Sequence, residues 1–197
     1  MTTILIASVG GQGGLTLSRI IARAALKSGC NVVVGETLGM SQRGGSVHVY
    51  IRYGSEVYSP LLLPGEADYL LALEPLEALR ALKYIGNNTL IYINSMRIHT
   101  VSTLLQLEQY PKLEEVIGKL KLKNPRNVYI VNAYEECLKE GFTKGVNTYM
   151  LGFALGIEEF LPLNIVLEEV SRLKFPEKNL RVFRRGLETA LKLVKGK

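Results

Sequence analysis

The sequence predicts a three-layer, Rossmann-like α/β domain with a largely parallel sheet, an antiparallel hairpin inserted early, and a helical C-terminus. Three observations carry this expectation. Apolar runs of strand length alternate with helical patterns as far as residue 131. A glycine-rich turn joins the first strand to the first helix, and the chain from Ala133 onward is helical almost throughout.

Ile4-Leu5-Ile6-Ala7 is a nearly continuous apolar run, as expected of a strand buried on both faces. Gly10-Gly11-Gln12-Gly13-Gly14 ends it. Leu15, Leu17, Ile20, Ile21, Ala24 and Ala25 then mark the apolar side of a helix running to Ser28 and closed by Gly29. Val32-Val33-Val34 reads as a second buried strand, completing a βαβ unit. Residues 36–45 are polar and glycine-rich, so a loop is expected there. Residues 46–53 alternate, with Val47, Val49 and Ile51 on one side and His48, Tyr50 and Arg52 on the other. That pattern predicts a strand with one covered face. Gly54-Ser55 reads as a hairpin turn into Glu56-Val57-Tyr58.

Tyr69 to Leu73 is a further strand, and Pro75 suits the first turn of a helix to about Lys83. Strands over Thr89 to Ile93 and Asn127 to Val131 end at Asn94 and Asn132. Between them, Val101 to Leu107 fits strand or helix, while Leu113 to Leu122 fits a helix. Helices follow over 147–160, 164–173 and about 177–195; in the last, Leu180, Phe183, Leu187, Ala190, Leu191 and Val194 trace one face. No repeat or low-complexity linker interrupts the chain, which is read as one domain over 1–197.

Composition narrows the function. A chain of 197 residues with 47% apolar content buries a core without staples. No apolar run reaches the roughly 18 residues of a membrane span. MTTILIASVGG lacks a basic flank, so it reads as a first strand, and a cytoplasmic location is expected. Cys30 and Cys137 are too few for a disulfide framework, a CxxC metal site or a four-cysteine iron–sulfur cluster. The net charge of +6 is spread over Lys119, Lys121, Lys123 and Arg126 and over the C-terminal helix from Arg181 to Lys197. Alternating there with apolar residues, it reads as a solvated helix face, and no nucleic-acid module accompanies it.

Two loops are candidates for chemistry. At Gly10-Gly11-Gln12-Gly13-Gly14 the start of a helix leaves backbone N–H groups unpaired, and glycines let an anion approach them closely. A dinucleotide fingerprint is only partly matched: Ser8 stands where its first glycine belongs, although Glu36 ends the second strand where a ribose-binding acid is expected. Anion binding and a purely conformational role both fit these glycines. The second candidate, Gly39-Met40-Ser41-Gln42-Arg43-Gly44-Gly45-Ser46, is expected at the same sheet edge, making a crevice with the first. Arg43 offers a planar cation for carboxylate or phosphate; Ser41, Gln42 and Ser46 add neutral donors. An ordinary solvent loop is the alternative. His48 and His99 read as surface or interface residues, and capping accounts for Asp68 and Glu74. No nucleophile–base or two-carboxylate pair is visible, so a self-contained hydrolase is not expected.

Taken with Ala72-Leu73-Glu74-Pro75-Leu76-Glu77-Ala78-Leu79, these two loops resemble the gamma-type domain of 2-oxoacid:ferredoxin oxidoreductases, most nearly the small subunit of the indolepyruvate type. The resemblance spans the chain, including Ser59-Pro60, Tyr110-Pro111 and Asn179-Leu180-Arg181, and Met40 to Ser46 is its specific part. Ser8 departs from the family's usual glycine.

The resemblance implies oxidative decarboxylation of a 2-oxoacid to acyl-CoA with reduction of ferredoxin, coenzyme A being the co-substrate. It places thiamine diphosphate and [4Fe–4S] clusters in a large partner subunit, with no catalytic residue or cofactor held by this chain alone and ferredoxin met through the complex. The cofactor-facing residues would be Gly10 to Gly14 and Ser41 to Ser46. Two other readings stay open: a stand-alone dinucleotide oxidoreductase using Glu36, and a scaffold subunit with no ligand of its own.

Overall fold

The computed structural model describes residues 1–38, 44–98, 110–124 and 127–195. Among these residues six strands form one sheet: β1 (Thr2–Val9), β2 (Asn31–Leu38), β3 (Ser46–Gly54), β4 (Ala67–Ala72), β5 (Ile85–Asn94) and β6 (Val128–Val131). Their order is β2-β3-β1-β4-β5-β6. β3 runs antiparallel to both its neighbours, while β1, β4, β5 and β6 pair in parallel.

Among the described residues seven α-helices complete the layers: α1 (Gly14–Lys27), α2 (Pro75–Arg80), α3 (Leu113–Lys123), α4 (Ala133–Lys139), α5 (Val146–Ile157), α6 (Leu163–Ser171) and α7 (Pro176–Lys195). Alternation along the strands divides the core. Ile4, Ile6, Val49, Ile51, Leu71 and Tyr92 face α1 and α4 to α7, while Leu5, Ala7, Leu70, Ile91 and Ile93 face α2 and α3. The expected three layers are therefore present, with the larger core on the C-terminal side.

Near the N-terminus the strands pair differently from the expectation. β2 is an edge strand, and Val34 is exposed. β3 lies between β1 and β2 and takes the two-sided burial, with Val49 and Ile51 fully enclosed. The antiparallel hairpin is β2–β3, closed through residues 39–45, because β2 extends past Glu36 to Leu38. Glu56-Val57-Tyr58 is not a strand. With β1 and β2 on its two sides, β3 has no free edge to offer it. Asp68 sits within β4 rather than in a loop, its carboxylate accepting from Thr3 N at 2.7 Å. Residues 101–107 lie outside the described residues.

On the larger face, α5 is apolar nearly all round, because it is enclosed between the sheet and α7. The two helices meet through glycines. A Cβ on Gly152 would lie 2.1 Å from Phe183 O, and one on Gly186 2.2 Å from Tyr149 O. Along α7 the apolar face is buried at Phe183 and Ala190, but Leu191 and Val194 are half-exposed where the helix runs past α5.

Candidate functional site

β1 leaves the sheet toward β2, and β4 leaves it toward β5, so the direction of winding reverses between the adjacent strands β1 and β4. In open α/β sheets ligands bind at this switch point, outside the C-terminal strand ends. The glycine turn stands there. Gly11 (φ 102°) and Gly13 (φ 85°) take positive φ, which glycine tolerates without steric cost. Gln12 braces the turn: its Oε1 accepts from Val9 N at 2.8 Å, and its Nε2 donates to Leu73 O at 2.9 Å beyond the end of β4. The Gln12 amide, expected to face a ligand, is thus engaged in holding the turn.

α1 starts at Gly14 with Gly13 as a cap that has no side chain and no acid in the first turn. Leu17 N is the first to bond back, to Gly13 O at 3.0 Å. As at any helix start, the earlier N–H groups have no partner within the helix. Ser8 is buried in regular β1, its hydroxyl donating to Val47 O at 3.4 Å. The departure from glycine at this position therefore leaves the turn intact.

The two glycine-rich loops meet as expected, since Gly10 N donates to Gly45 O at 2.8 Å and Gly44 N to Gly10 O at 3.4 Å. Ser41, Gln42 and Arg43 lie outside the described residues, as does His99. Among the described residues, the main cleft at the turn, about 580 Å³, has as its far wall residues of the C-terminal helices and their connections. Gly11, Gln12, Gly13 and Thr16 form one side, Asn94 and Met96 the floor, and Phe142, Lys144, Asn147, Lys174 and Phe175 the other side. Its charged lining residues are Lys144 and Lys174, with no carboxylate among the described ones.

A buried polar chain links the walls. Asn147 Nδ2 donates to Gly13 O at 3.1 Å, Thr148 N to Asn147 Oδ1 at 2.9 Å, and Thr148 Oγ1 to Asn179 Oδ1 at 3.0 Å. At the floor, Asn94 Nδ2 donates to Leu73 O at 3.0 Å and its Oδ1 accepts from Ala133 N at 3.0 Å. A smaller depression of about 320 Å³ at the opposite sheet edge carries Glu66 and Asp68 beside Arg52, which makes it a poor host for an anion.

Under the second loop lies a carboxylate cluster that the sequence did not reveal. Glu74 does cap α2, accepting from Glu77 N at 3.1 Å, but it is fully buried and also accepts from the Tyr110 hydroxyl. Glu77 is buried as well, taking the Ser46 hydroxyl at 2.5 Å and Arg80 Nη1 at 2.5 Å. Burial is the largest influence on its pKa and, despite those two donors, leaves it raised. Ser46 thereby gives its hydroxyl proton to α2. His48, expected at the surface or an interface, is largely enclosed within the chain, its Nε2 standing 3.7 Å from Glu77 Oε2 without a hydrogen bond. Burial first, then Arg80 and Lys83, outweigh that carboxylate and push the imidazole down to about 4, so it is neutral at pH 7.

A pH dependence follows. Between about pH 6.5 and 4 the unfolded chain binds a proton at His48 that the folded chain refuses, so this contribution to stability is complete above pH 6.5 and is lost as pH falls. Urea unfolding should show wild type losing about 2–3 kcal/mol more than His48→Asn between about pH 7 and 4.5. Parallel losses in the two proteins would show that His48 is not held neutral.

Residues 3–189 match the pyruvate ferredoxin/flavodoxin oxidoreductase family. The chain belongs to that family of oxidoreductases. It is 42% identical to the indolepyruvate oxidoreductase subunit IorB of Archaeoglobus fulgidus over 193 residues, 95% of this chain and 94% of the relative. Among solved structures it superposes on the gamma subunit of a keto/oxoacid ferredoxin oxidoreductase from Geobacter sulfurreducens, with a TM-score of 0.71 at 20% identity, covering 98% and 99% of the two chains. It likewise matches 31% of a longer chain, the 2-oxoglutarate:ferredoxin oxidoreductase of Magnetococcus marinus, with a TM-score of 0.72 at 19% identity over 96% of this chain.

Among the described residues no group of three metal-binding side chains occurs. Cys137 is buried in α4 with its thiol pushed up to about 12 by burial, a poor thiolate donor. The described residues therefore do not fit an iron–sulfur cluster. No described helix is long and apolar enough to cross a membrane.

Proposed function

We propose that the chain is the small subunit of a 2-oxoacid:ferredoxin oxidoreductase acting on indolepyruvate or related aryl pyruvates, and that its cleft receives the phosphate-bearing part of coenzyme A. The observation that carries the second half is the lining itself: the open start of α1, two lysines and no described carboxylate around one cleft at the switch point. The first half is supported by full-length similarity to a protein named as a subunit, and by the same fold forming part of a longer oxidoreductase chain whose structure holds coenzyme A.

In the reaction the 2-oxoacid loses carbon dioxide, the remaining acyl carbon bonds to the coenzyme A sulfur, the thiol gives up its proton, and two electrons pass to ferredoxin. Thiamine diphosphate and [4Fe–4S] clusters, held by a large partner subunit, supply carbanion stabilisation and electron transfer. This chain's part is to bind and orient the coenzyme: glycine-turn N–H groups and Lys144 and Lys174 hold its phosphates, with Asn147 fixing the turn. Gly44 and Gly45 are hydrogen-bonded to Gly10, and this reading counts Ser41, Gln42 and Arg43 of the same glycine-rich stretch among the residues that meet the ligand. The complex is cytoplasmic in this reading.

The dinucleotide alternative is disfavoured by topology. Glu36 lies on the exposed edge strand, and β3 separates it from β1 by two strand spacings, about 10 Å.

The test is reconstitution. The chain alone should be colourless and silent, and with its large subunit should support coenzyme-A-dependent dye reduction by an aryl pyruvate. Replacing Lys144 and Lys174 together by alanine should raise KM for coenzyme A about three- to tenfold with kcat held, since exposed cations contribute modestly. Turnover by the chain alone, or a KM untouched by the double substitution, would overturn the corresponding half.

A further inference from the structure

The cleft's outer wall contains the one non-glycine residue with positive φ among the described residues. Phe175, φ 64°, links the end of α6 to Pro176 at the start of α7, and the residue is 47% exposed. Glycine would take this backbone without strain, whereas a bulky side chain there is held against a steric penalty. The surroundings over-determine it. Asn179, buried, donates from Nδ2 to Lys174 O at 2.9 Å and Phe175 O at 3.2 Å, and its backbone N reaches Phe175 O at 3.1 Å. Through Thr148 and Asn147 the same hydrogen-bonded chain ends on Gly13 O. The strained residue and the glycine turn are thus set in register across the cleft.

The ring is presented, not buried. It stands edge-on to Phe142, with centroids 6.1 Å apart and planes at 72°. Lys174 Nζ lies 5.3 Å from its centroid and Lys178 Nζ 5.9 Å, both residues being exposed. An exposed aromatic face bordered by cations, opposite an anion-accepting turn, suits a ligand with a flat, electron-rich ring at one end and phosphates at the other.

We propose that Phe175 is the ring-recognition residue of the cleft, stacking on the purine of an adenine nucleotide whose phosphates lie at the glycine turn, with backbone strain retained to aim the ring. Resting on the cleft reading above, this adds which end of the ligand meets which wall and what the strained backbone is for.

Calorimetric titration of the full chain with inorganic pyrophosphate and with ADP separates the two layers. Wild type should bind ADP about tenfold or more tightly than pyrophosphate, as one stacked base contributes. In Phe175→Gly that advantage should collapse while pyrophosphate affinity stays within about twofold, showing that the variant is folded with its turn intact. Its melting temperature should hold or rise, because glycine relieves the strain. Phe175→Tyr should keep the advantage. ADP binding no tighter than pyrophosphate, or an ADP advantage surviving in Phe175→Gly, would sink the ring role and leave the cleft reading standing. Failure of wild type to bind either probe would remove both.

Discussion

Gly13→Ala is expected to cost about 2–5 kcal/mol of folding stability and to raise KM for coenzyme A in the assembled enzyme more than any lysine substitution in the cleft. Two independent effects add here. At φ 85° an L side chain meets the left-handed penalty of about 1–2 kcal/mol. The new Cβ would also lie 2.5 Å from Asn147 Nδ2, expelling the amide that donates to Gly13 O and links the turn to α5. A displaced, unsatisfied buried amide costs about 1–3 kcal/mol. Gly11→Ala is the control, since nothing lies within 4 Å of a Cβ there and backbone strain alone remains, about 1–2 kcal/mol. Urea unfolding of the two variants should differ by the Asn147 contribution. Equal losses, or a stable Gly13→Ala with unchanged KM, would leave the turn without the role assigned to it.

Gly152→Ala should be comparably severe, by about 3 kcal/mol or more, lowering the melting temperature by roughly 6–12 °C. The atom a methyl group would strike is a backbone carbonyl of α7, which cannot rotate away as a side-chain end can. The helices must separate, loosening Phe153 and Phe183 in the interior. Because α5 carries Asn147 and Thr148 while α7 carries Asn179, the shift also uncouples the cleft walls, so coenzyme affinity should fall with stability. Differential scanning calorimetry finding the variant as stable as wild type would mean that the helices are not in backbone contact.

How much of this was readable in advance depends on how local the determining signal is. β1, α1, β4, β5 and the C-terminal helices announce themselves by periodicity and by glycine or proline at their ends, and the structure has them where expected. The edge position of β2 does not. Val32-Val33-Val34 suits a central or an edge strand equally, and only the insertion of β3, a long-range pairing, decides between them. The site shows the same division. Gly11 and Gly13 were legible because a turn needs glycine. Asn147, Thr148, Asn179 and Phe175 were not, since each is a single residue in a helix or turn whose partner lies far away, 134 residues for Asn147 and Gly13. The nearest signals are Asn179, singled out by the family resemblance alone, and the Glu74-Pro75-Leu76-Glu77 stretch, read as a helix start with Glu74 as its cap and as part of the resemblance. The cover over His48 is hidden for a related reason: alternation puts it on the polar face of β3, at a surface or an interface, and only α2, arriving some thirty residues later, encloses that face.

Membership of an assembly is the claim on which the rest depends, and affinity purification of the tagged chain from its native cell tests it most directly. The expected result is co-isolation, at fixed ratio, of a larger brown polypeptide containing iron, labile sulfide and thiamine diphosphate, which reduces ferredoxin with an aryl pyruvate only when coenzyme A is present. Recovery of the chain alone, or with partners lacking both cofactors, would contradict its assignment as the small subunit of a 2-oxoacid:ferredoxin oxidoreductase.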